Sequence, residues 1–345
     1  MNSVGIIANP ASGKDIRRLV AHGTVFNNNE KVNIVRRLLL GLDATGVKRV
    51  LIMPDSFCIG EKALDGLDLR FDSSVLPLPV TSTSKDSTQA SAYMVAHNVN
   101  CIVTLGGDGT NRSVAKACED VPLMPISTGT NNVFPTMIEG TVAGIAAGLV
   151  ACGLADEAVN QVPRLDIYCE DPDQVRVTDS PDEIALVDAA IYDEQFVASG
   201  AIWDASKIKA VISTRTQAGT IGLSSIGAHI LGKNGSSEHG LYLRMAPGGR
   251  EVLAPIAPGV IRRVSLAEHR LLSAHDEVVL RRQKACVLAL DGEREIEVKP
   301  GAGVRVRFKR NGPTVVDPQK AIEAAARAGV FVHDTAHAGC FNDYC

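Results

Sequence analysis

The sequence predicts two domains of different class, an open parallel α/β sheet over residues 1–155 and an antiparallel β-sandwich over residues 156–312. In the first half, short apolar runs that end at Gly, Pro or Asn alternate with segments of helical apolar spacing, which indicates a parallel sheet. After about Asn160 the helical spacing gives way to short alternating runs separated by Pro-Gly, Gly-Gly and Asn-Gly turns, which are typical of antiparallel strands. A C-terminal helix and tail over residues 313–345 are expected to pack back on the first domain.

The elements of the first half follow from this alternation. Strands are predicted at Val4–Ala8, Arg49–Met53, Val75–Val80, Cys101–Leu105 and Leu123–Ile126. Helices are predicted at Val32–Leu42, Ser84–His97, Thr110–Cys118 and Val142–Cys152. The third strand contains two prolines, which cannot donate to a ladder, so we expect it at a sheet edge. Ligands bind at the carboxyl ends of the strands in such sheets, so the loops that follow the strands are the candidate site.

The second half contains strand signals and one helix signal. Strands are predicted at Ala185–Tyr192, Lys209–Thr214, Cys286–Leu290, Glu295–Lys299 and Val304–Lys309. Asp317-Pro318 is typical of a capped helix start, and Gly329 of a helix end. In Ile261–Leu272 basic residues alternate with apolar ones, which indicates a solvated face.

Composition excludes several functional classes. Aromatic residues make up 4% of the 345 residues and there is one tryptophan, which leaves too few rings for a base-stacking nucleic-acid platform. A net charge of −4 provides no basic field to recruit DNA, RNA or anionic lipid. The longest mostly apolar stretch, Thr141–Ala155, is shorter than the roughly 20 residues that a transmembrane helix needs.

Other features predict the environment of the protein. The sequence opens without a basic and apolar leader, and its eight cysteines form no CxxC pair, so we expect a cytoplasmic protein with reduced thiols. We expect a homo-oligomer, a dimer or tetramer, that acts on a small molecule. The tail contains His333, Asp334, His337, Cys340 and Cys345, whose spacing fits no standard zinc pattern. A zinc site, a subunit contact and a loose tail all stay open as interpretations of this segment.

The first glycine-containing turn, NPASGK at residues 9–14, follows the first predicted strand. It differs from the Walker A pattern at positions 8 and 15. Ser12, Gly13 and Lys14 could still offer a phosphate a hydroxyl, a close backbone approach and a cation. An ordinary βα turn explains the same residues, and both interpretations stay open.

The second turn, GGDGT at residues 106–110, places one carboxylate among glycines at the end of a buried strand. The glycines let backbone amides approach a ligand, and the helix that follows directs its N-terminus at the same place, which favours an anion. A carboxylate there suits phosphoryl transfer, in which one residue orients or deprotonates the nucleophile. Asp108 is the candidate, although a simple helix cap is an equal alternative.

The third turn, STGTNNVFP at residues 127–135, gathers hydroxyls and two asparagines at another strand end. Side-chain amides in tandem suit a ribose, an adenine edge or a hydroxylated substrate. A polar loop is the alternative for this turn alone, because Asn and Gly are frequent turn residues.

In this order the three turns resemble those of the superfamily of NAD kinases and of diacylglycerol and sphingosine-type lipid kinases. TQAGTIGLSSIG at residues 216–227 loosely resembles a glycine-rich strand that holds the dinucleotide in NAD kinases. LDGEREIEV at residues 290–298 is similar to an Asp-Gly-Glu strand of bacterial lipid kinases. The resemblance covers roughly Val4 to Lys309 and is nearest to the acetoin catabolism protein X group, which is ATP-NAD kinase-like.

The resemblance implies roles for matching residues. Asp108, Asp291 and Glu293 would be catalytic, with Asp108 acting on a metal-bound water and Asp291 near the metal. Residues in contact with ATP would be Asn9, Ser12, Gly13, Lys14, Gly106, Gly107, Gly109, Thr110, Thr128, Gly129, Asn131 and Asn132. Residues in contact with the acceptor would be Asp188, Gly219 and Thr220.

The sequence therefore predicts an ATP- and Mg²⁺-dependent kinase that phosphorylates a hydroxyl of a soluble acceptor, with NAD, giving NADP, as the first choice. NAD kinases carry an Asn-Glu pair that grips the acceptor, and the matching stretch ALVDAA has Val187 and Asp188 instead. The alternatives are a kinase of a lipid or small polyol and a non-catalytic regulator that binds ATP or NAD in acetoin catabolism.

Overall fold

Seven strands form the first sheet of the computed structural model, which describes residues 2–13, 22–24, 26–170, 179–193, 207–215, 219–232 and 238–332. They are β1 (Ser3–Ala8), β2 (Arg49–Ile52), β3 (Asp72–Val75), β4 (Cys101–Gly106), β5 (Leu123–Ser127), β6 (Val159–Gln161) and β17 (Thr314–Val316). Their order is β3-β2-β1-β4-β5-β17-β6, and every neighbouring pair is parallel except β17 with β6. The predicted open parallel sheet is confirmed.

Helices cover both faces of this sheet. They are α1 (Asn28–Ala44), α2 (Ile59–Leu64), α3 (Ser84–Ala96), α4 (Asp108–Ala115) and α5 (Gly140–Ala151). Ile6 of β1 belongs to the core under α1 and α5, whereas its neighbour Ile7 belongs to the core under α3 and α4. Because β1 is buried on both faces, its apolar run is continuous rather than alternating.

One strand and one helix differ from the prediction. The strand predicted at Val75–Val80 is wrong beyond its first residue, because Pro77 and Pro79 cannot donate to a ladder. The observed β3 covers Asp72–Val75 instead, and it does lie at the sheet edge. Helix α4 begins at Asp108, two residues before the predicted start, because Gly107 in extended conformation takes the N-cap position.

Helix α5 packs unusually close to α1 because glycines recur on one of its faces. A Cβ added to Gly144 would lie 2.3 Å from the carbonyl oxygen of Leu38, and one added to Gly41 would lie 2.4 Å from that of Thr141. Both close neighbours are backbone atoms, which cannot rotate away. The glycine spacing of this stretch therefore sets the distance between the two helices.

We expect Gly144→Ala to lower the free energy of unfolding by about 1–3 kcal/mol, the usual cost of overpacking, because α1 and α5 must separate. Urea unfolding measures the effect. Val142→Ala, on the exposed side of the same helix, is the control and should change stability by less than about 0.5 kcal/mol. Equal stability of the Gly144→Ala protein and the wild type would contradict the close packing.

The second half forms two antiparallel sheets. Their strands are β7 (Arg164–Glu170), β8 (Glu183–Ala185), β9 (Asp188–Tyr192), β10 (Ile208–Ser213), β11 (Gly240–Ala257), β12 (Val260–Leu272), β13 (Glu277–Arg281), β14 (Cys286–Leu290), β15 (Glu293–Val298) and β16 (Gly303–Lys309). One sheet has the order β12-β11-β10-β9-β14-β15 and the other β13-β16-β7-β8. Leu165 and Val306 of the smaller sheet share one core with Ile191 and Leu288 of the larger, which agrees with the predicted fold class.

The segment Ile261–Leu272 forms most of β12 in the long β11–β12 hairpin. Most of its residues are exposed, as expected for a solvated face, although Val264 and Leu266 are buried. Two other expectations for this half are wrong in detail. The predicted strand Ala185–Tyr192 is two strands, β8 and β9, which belong to different sheets. The glycine-rich strand expected at 216–227 is, over its described part, a turn followed by helix α6 (Ser224–Leu231).

The chain finally returns to the first sheet. Strand β17 pairs with β5 and β6, and helix α7 (Pro318–Arg327) follows it, with the Asp317 carboxylate accepting the Lys320 amide at 3.1 Å. Ala321 and Ala325 of α7 lie buried in the core that α1 and α5 share. Among the helices that the structure describes, none combines the length and apolarity that crossing a bilayer requires.

Candidate active site

A cavity of about 650 Å³ lies at the carboxyl end of the first sheet, where the loops after β1 to β5 meet two turns of the second half. Of the predicted site residues, those lining it are Asn9, Ser12, Gly13, Gly107, Asp108, Gly109, Thr110, Thr128, Gly129, Asn131, Asn132, Asp291 and Glu293. Small-molecule sites typically enclose roughly 300–1,000 Å³. The fold therefore gathers into one ligand-sized cavity motifs that are far apart in the sequence.

The loop after β1 is connected to the loops after β4 and β5. Asn9 accepts the Ala11 amide at 2.8 Å through Oδ1, and its Nδ2 donates to Oγ1 of Thr110 at 2.9 Å. Ser12 Oγ donates to the Asn9 carbonyl at 2.8 Å, and Thr128 Oγ1 donates to Ser12 Oγ at 3.1 Å. These bonds hold the three predicted turns in a fixed mutual arrangement.

Asp108 is the first residue of α4 and is buried at the cavity wall. Its Oδ1 accepts the amide of Phe134 at 2.8 Å, and both its oxygens accept the amide of Val133, at 3.0 and 3.1 Å. Backbone amides of the third turn thus hold the Asp108 carboxylate of the second turn in place. A carboxylate with a fixed orientation at a helix N-terminus can accept a hydrogen bond from the hydroxyl of a ligand bound in the cavity.

The loop after β5 is organised by its own polar groups. Ser127 Oγ donates to the Gly129 carbonyl at 2.8 Å, and Asn132 Nδ2 donates to Ser127 Oγ at 2.8 Å. The Nδ2 atom of Asn132 therefore stabilises the conformation of its own loop. Its Oδ1 atom lies beside Gly107 of the second turn.

Asp291 and Gly292 form the two-residue turn that joins β14 to β15. Their φ angles are 52° and 79°, and Leu290 pairs with Glu293, as in a type I′ hairpin turn. This turn places Glu293 beside α4, since a Cβ on Gly109 would lie 3.0 Å from Glu293 Oε2. The acidic motif of the second half therefore reaches the first turn of the helix that carries Asp108.

The Asp291 carboxylate is occupied by protein groups. Its Oδ1 accepts the amides of Leu186, Val187 and Asp188 at 3.0, 2.8 and 3.2 Å, and Arg112 Nε lies 3.3 Å from Oδ2. Burial raises the pKa of this carboxyl, and Arg112 and the amides oppose that shift. The Asp291 carboxylate therefore holds the end of β8 and the start of β9 together.

Arg112 connects the two halves of the protein. It lies one turn after Asp108 on α4 and is almost fully buried. Besides Asp291, it faces Glu183 of β8, with NH1 to Oε2 at 3.7 Å, and Lys116 binds the same Glu183 at 2.7 Å. The orientation of α4 therefore depends on side chains of the second half of the chain.

A second arginine, Arg215, lies behind the cavity wall. Its guanidinium carbon stands 5.0 Å from the ring centre of Phe134, the residue whose amide binds Asp108. Burial lowers the pKa of Arg215, and the nearby carboxylates of Asp108 and Asp291 oppose that shift. A positive charge thus lies close to the two buried carboxylates of the site.

Some predicted residues are not brought into the cavity lining. Gly106 ends β4 just below it, and Lys14 lies outside the described residues. Asp188 is buried at the start of β9, beside the Asp291 turn. Gly219 and Thr220 precede α6 and are not among the lining residues.

Sequence reasoning missed Lys31, Arg112, Arg215 and Asp55. Asp55 lines the cavity after β2, and burial raises its pKa although the amides of Phe57 and Ile59 oppose this. For Arg112 a signal was available, because it follows Asp108 by four residues and so shares its helix face. The other three carry no motif that marks them.

The cavity is acidic. Among its described lining residues the carboxylates are those of Asp55, Asp86, Asp108, Asp291 and Glu293. Arg112 is the one basic residue among them. Within the described residues, no three His, Cys, Asp or Glu side chains converge in a metal-binding arrangement. A polyphosphate bound here would need a cation, and Mg²⁺ is commonly held by one or two carboxylates together with the phosphates themselves.

Comparisons with known proteins place this arrangement in a family. Residues 4–153 match the ATP-NAD kinase N-terminal domain, and residues 172–311 match the acetoin catabolism protein X C-terminal domain. The acetoin catabolism protein X of Cupriavidus necator is 37% identical over 336 residues, which is 94% of this chain and 92% of that protein. The chain belongs to the acetoin catabolism protein X family. The family membership and the match to the ATP-NAD kinase N-terminal domain agree with the resemblance that the three turns indicated.

The fold of this acetoin catabolism protein X family member is similar to that of a solved NADH kinase. Yeast NADH kinase, crystallised with NADH, superposes with a TM-score of 0.52 at 13% identity, covering 96% of this chain and 88% of that one. A diacylglycerol kinase from Bacillus anthracis superposes with a TM-score of 0.48 at 14% identity, covering 91% and 96%.

Proposed function

We propose that this protein is a kinase that transfers the γ-phosphoryl group of ATP, as its Mg²⁺ complex, to a hydroxyl of a soluble acceptor. The observation that carries the proposal is the Asp108 carboxylate. It is held by two amides at the N-terminus of α4, on a ligand-sized cavity lined by the three polar turns. Phosphoryl transfer depends mainly on positioning and charge stabilisation, with one group to orient the nucleophile.

Different residues of the cavity bind the phosphates, accept the proton and hold the cation. The loop at Asn9–Gly13 and the N-terminal turn of α4 hold the phosphates with amides and hydroxyls. Asp108 accepts a hydrogen bond, and then the proton, from the acceptor hydroxyl. The residues that would hold Mg²⁺ are Asp108, through a bound water, together with Asp291 and Glu293. When bound, the cation neutralises charge that develops on the phosphates.

NAD is our proposed acceptor. The ATP-NAD kinase domain match over residues 4–153 supports this choice, as does the NADH kinase fold of the whole chain. The Asp188 carboxylate is buried beside the Asp291 turn, so acceptor recognition here falls to other residues than the Asn-Glu pair of NAD kinases.

Label transfer from γ-³²P-ATP with Mg²⁺ tests the proposal. One reaction contains NAD, a second contains a pool of small alcohols and polyols, a third contains diacylglycerol vesicles, and a parallel series contains EDTA. We expect label in NADP that EDTA abolishes. Label only with polyols or only with the lipid would retain the kinase and replace the acceptor. Binding of ATP without transfer to any acceptor would refute the kinase and leave a nucleotide-binding regulator.

A further inference from the structure

Lys31 is a lysine in the interior of the first domain. It lies in the first turns of α1 and its side chain is fully buried. Its Nζ donates to the carbonyl oxygens of Asn9 at 2.9 Å, Ser12 at 2.8 Å and Pro10 at 3.4 Å, and to Asn28 Oδ1 at 3.2 Å. One buried ammonium group therefore donates hydrogen bonds to three carbonyl oxygens of the loop that follows β1.

This arrangement determines where the amides of the loop point. The described chain contains no cis peptide bond, and in a trans peptide the C=O and the following N–H point in opposite directions. The Ser12 carbonyl faces Lys31, so the Gly13 N–H points in the opposite direction. Gly13 itself lines the cavity. Gly13 has φ 79°, a conformation that favours glycine.

A role in packing alone does not account for Lys31. A buried charge is costly unless it is hydrogen-bonded, and an apolar side chain of similar volume would fill the same space at less cost. What the ammonium group adds is the orientation of the loop carbonyls and a positive charge directly behind the loop.

We propose that Lys31 is a positioning residue for nucleotide phosphates. It turns the Asn9–Gly13 loop so that the Gly13 amide meets a phosphate oxygen, and its charge stabilises the anion from behind the loop. This inference rests on the proposed use of ATP, but it concerns phosphate binding alone and is independent of the acceptor.

The test compares Lys31→Met with the wild type and with Lys62→Met. Lys62 is a matched control, because it also donates to a loop carbonyl, that of Phe57 at 2.7 Å, but is exposed and lies outside the cavity lining. Calorimetry gives the dissociation constants for Mg²⁺–AMP-PNP and for adenosine. We expect Lys31→Met to weaken AMP-PNP binding by about tenfold or more and to leave adenosine binding nearly unchanged, since only the phosphates are affected.

Each outcome separates the two proposals. A wild-type protein that fails to bind AMP-PNP overturns the proposed function. Wild-type binding together with an unchanged ratio of the two affinities in Lys31→Met overturns the role of Lys31 alone. If Lys31→Met does not fold, Asn28→Ala removes one acceptor of the same ammonium group at a partly exposed position. We then expect a smaller loss in the same direction, and no change in that ratio would equally refute the role.

Discussion

Asp108→Asn should lower kcat by at least about 10²-fold, the range expected when a general base is removed. Asparagine keeps the size of the side chain and one oxygen that can accept the amides of Val133 and Phe134, so the loop after β5 should stay in place. It cannot take a proton from the acceptor hydroxyl. ATP affinity and thermal stability should therefore change far less than turnover. Label transfer under saturating ATP and acceptor measures the effect.

Asp166→Asn is the matched control for this substitution. Asp166 is also a buried carboxylate, but it lies on β7, pairs with Arg164 at 2.7 Å and does not line the cavity. Its variant should retain the wild-type kcat. If Asp108→Asn also turns over at the wild-type rate, Asp108 is a helix-capping residue and the catalytic assignment fails.

Asp291→Ala should produce the largest loss of stability, about 3–5 kcal/mol, because it removes one member of a buried ion pair. The substitution leaves Arg112 facing an emptied site and the amides of Leu186, Val187 and Asp188 without their acceptor. Alanine also fits poorly at φ 52°, in the left-handed region. The midpoint of urea unfolding should fall accordingly.

Two variants test this explanation. Asp291→Asn keeps one acceptor oxygen and tolerates the left-handed conformation, so we expect an intermediate loss. Asp276→Ala removes a surface carboxylate that accepts the Ser273 amide at 2.8 Å and should cost no more than about 1 kcal/mol. A loss below about 1 kcal/mol for Asp291→Ala would mean that the contacts of the carboxylate with Arg112 and with the amides of Leu186, Val187 and Asp188 contribute little to stability.

The elements that could be predicted are those whose pattern is complete within a few residues. Cys101–Leu105 is a continuous apolar run with a turn directly after it, and such a run indicates a buried strand without any tertiary information. The β11–β12 hairpin was missed because its alternation breaks at Pro247–Gly249, where the register of β11 shifts against β12. The split of Ala185–Tyr192 was invisible because every residue in it is buried, whichever sheet it joins.

The site residues also divide into those recognisable from a short stretch of sequence and those that depend on tertiary contacts. Asp108 and the glycines around it are recognisable because the chemistry of a phosphate turn is local to one loop. Lys31 carries no motif and acquires its role only when α1 lies against the loop after β1. Arg215 likewise becomes relevant only when the end of β10 reaches Phe134. Residues that act through a tertiary contact cannot be found by spacing alone.

The return of the chain to the first sheet has a consequence for folding during synthesis. Strand β17 separates β5 from β6, and Ala321 and Ala325 of α7 complete a core whose other members come from the first half. The first sheet therefore cannot be completed until the chain has been synthesised beyond Val316, and its core not until the chain has been synthesised beyond Arg327. Contacts of such long sequence separation are expected to form slowly. In this protein the first sheet is therefore begun by the earliest part of the chain and completed by one of the last.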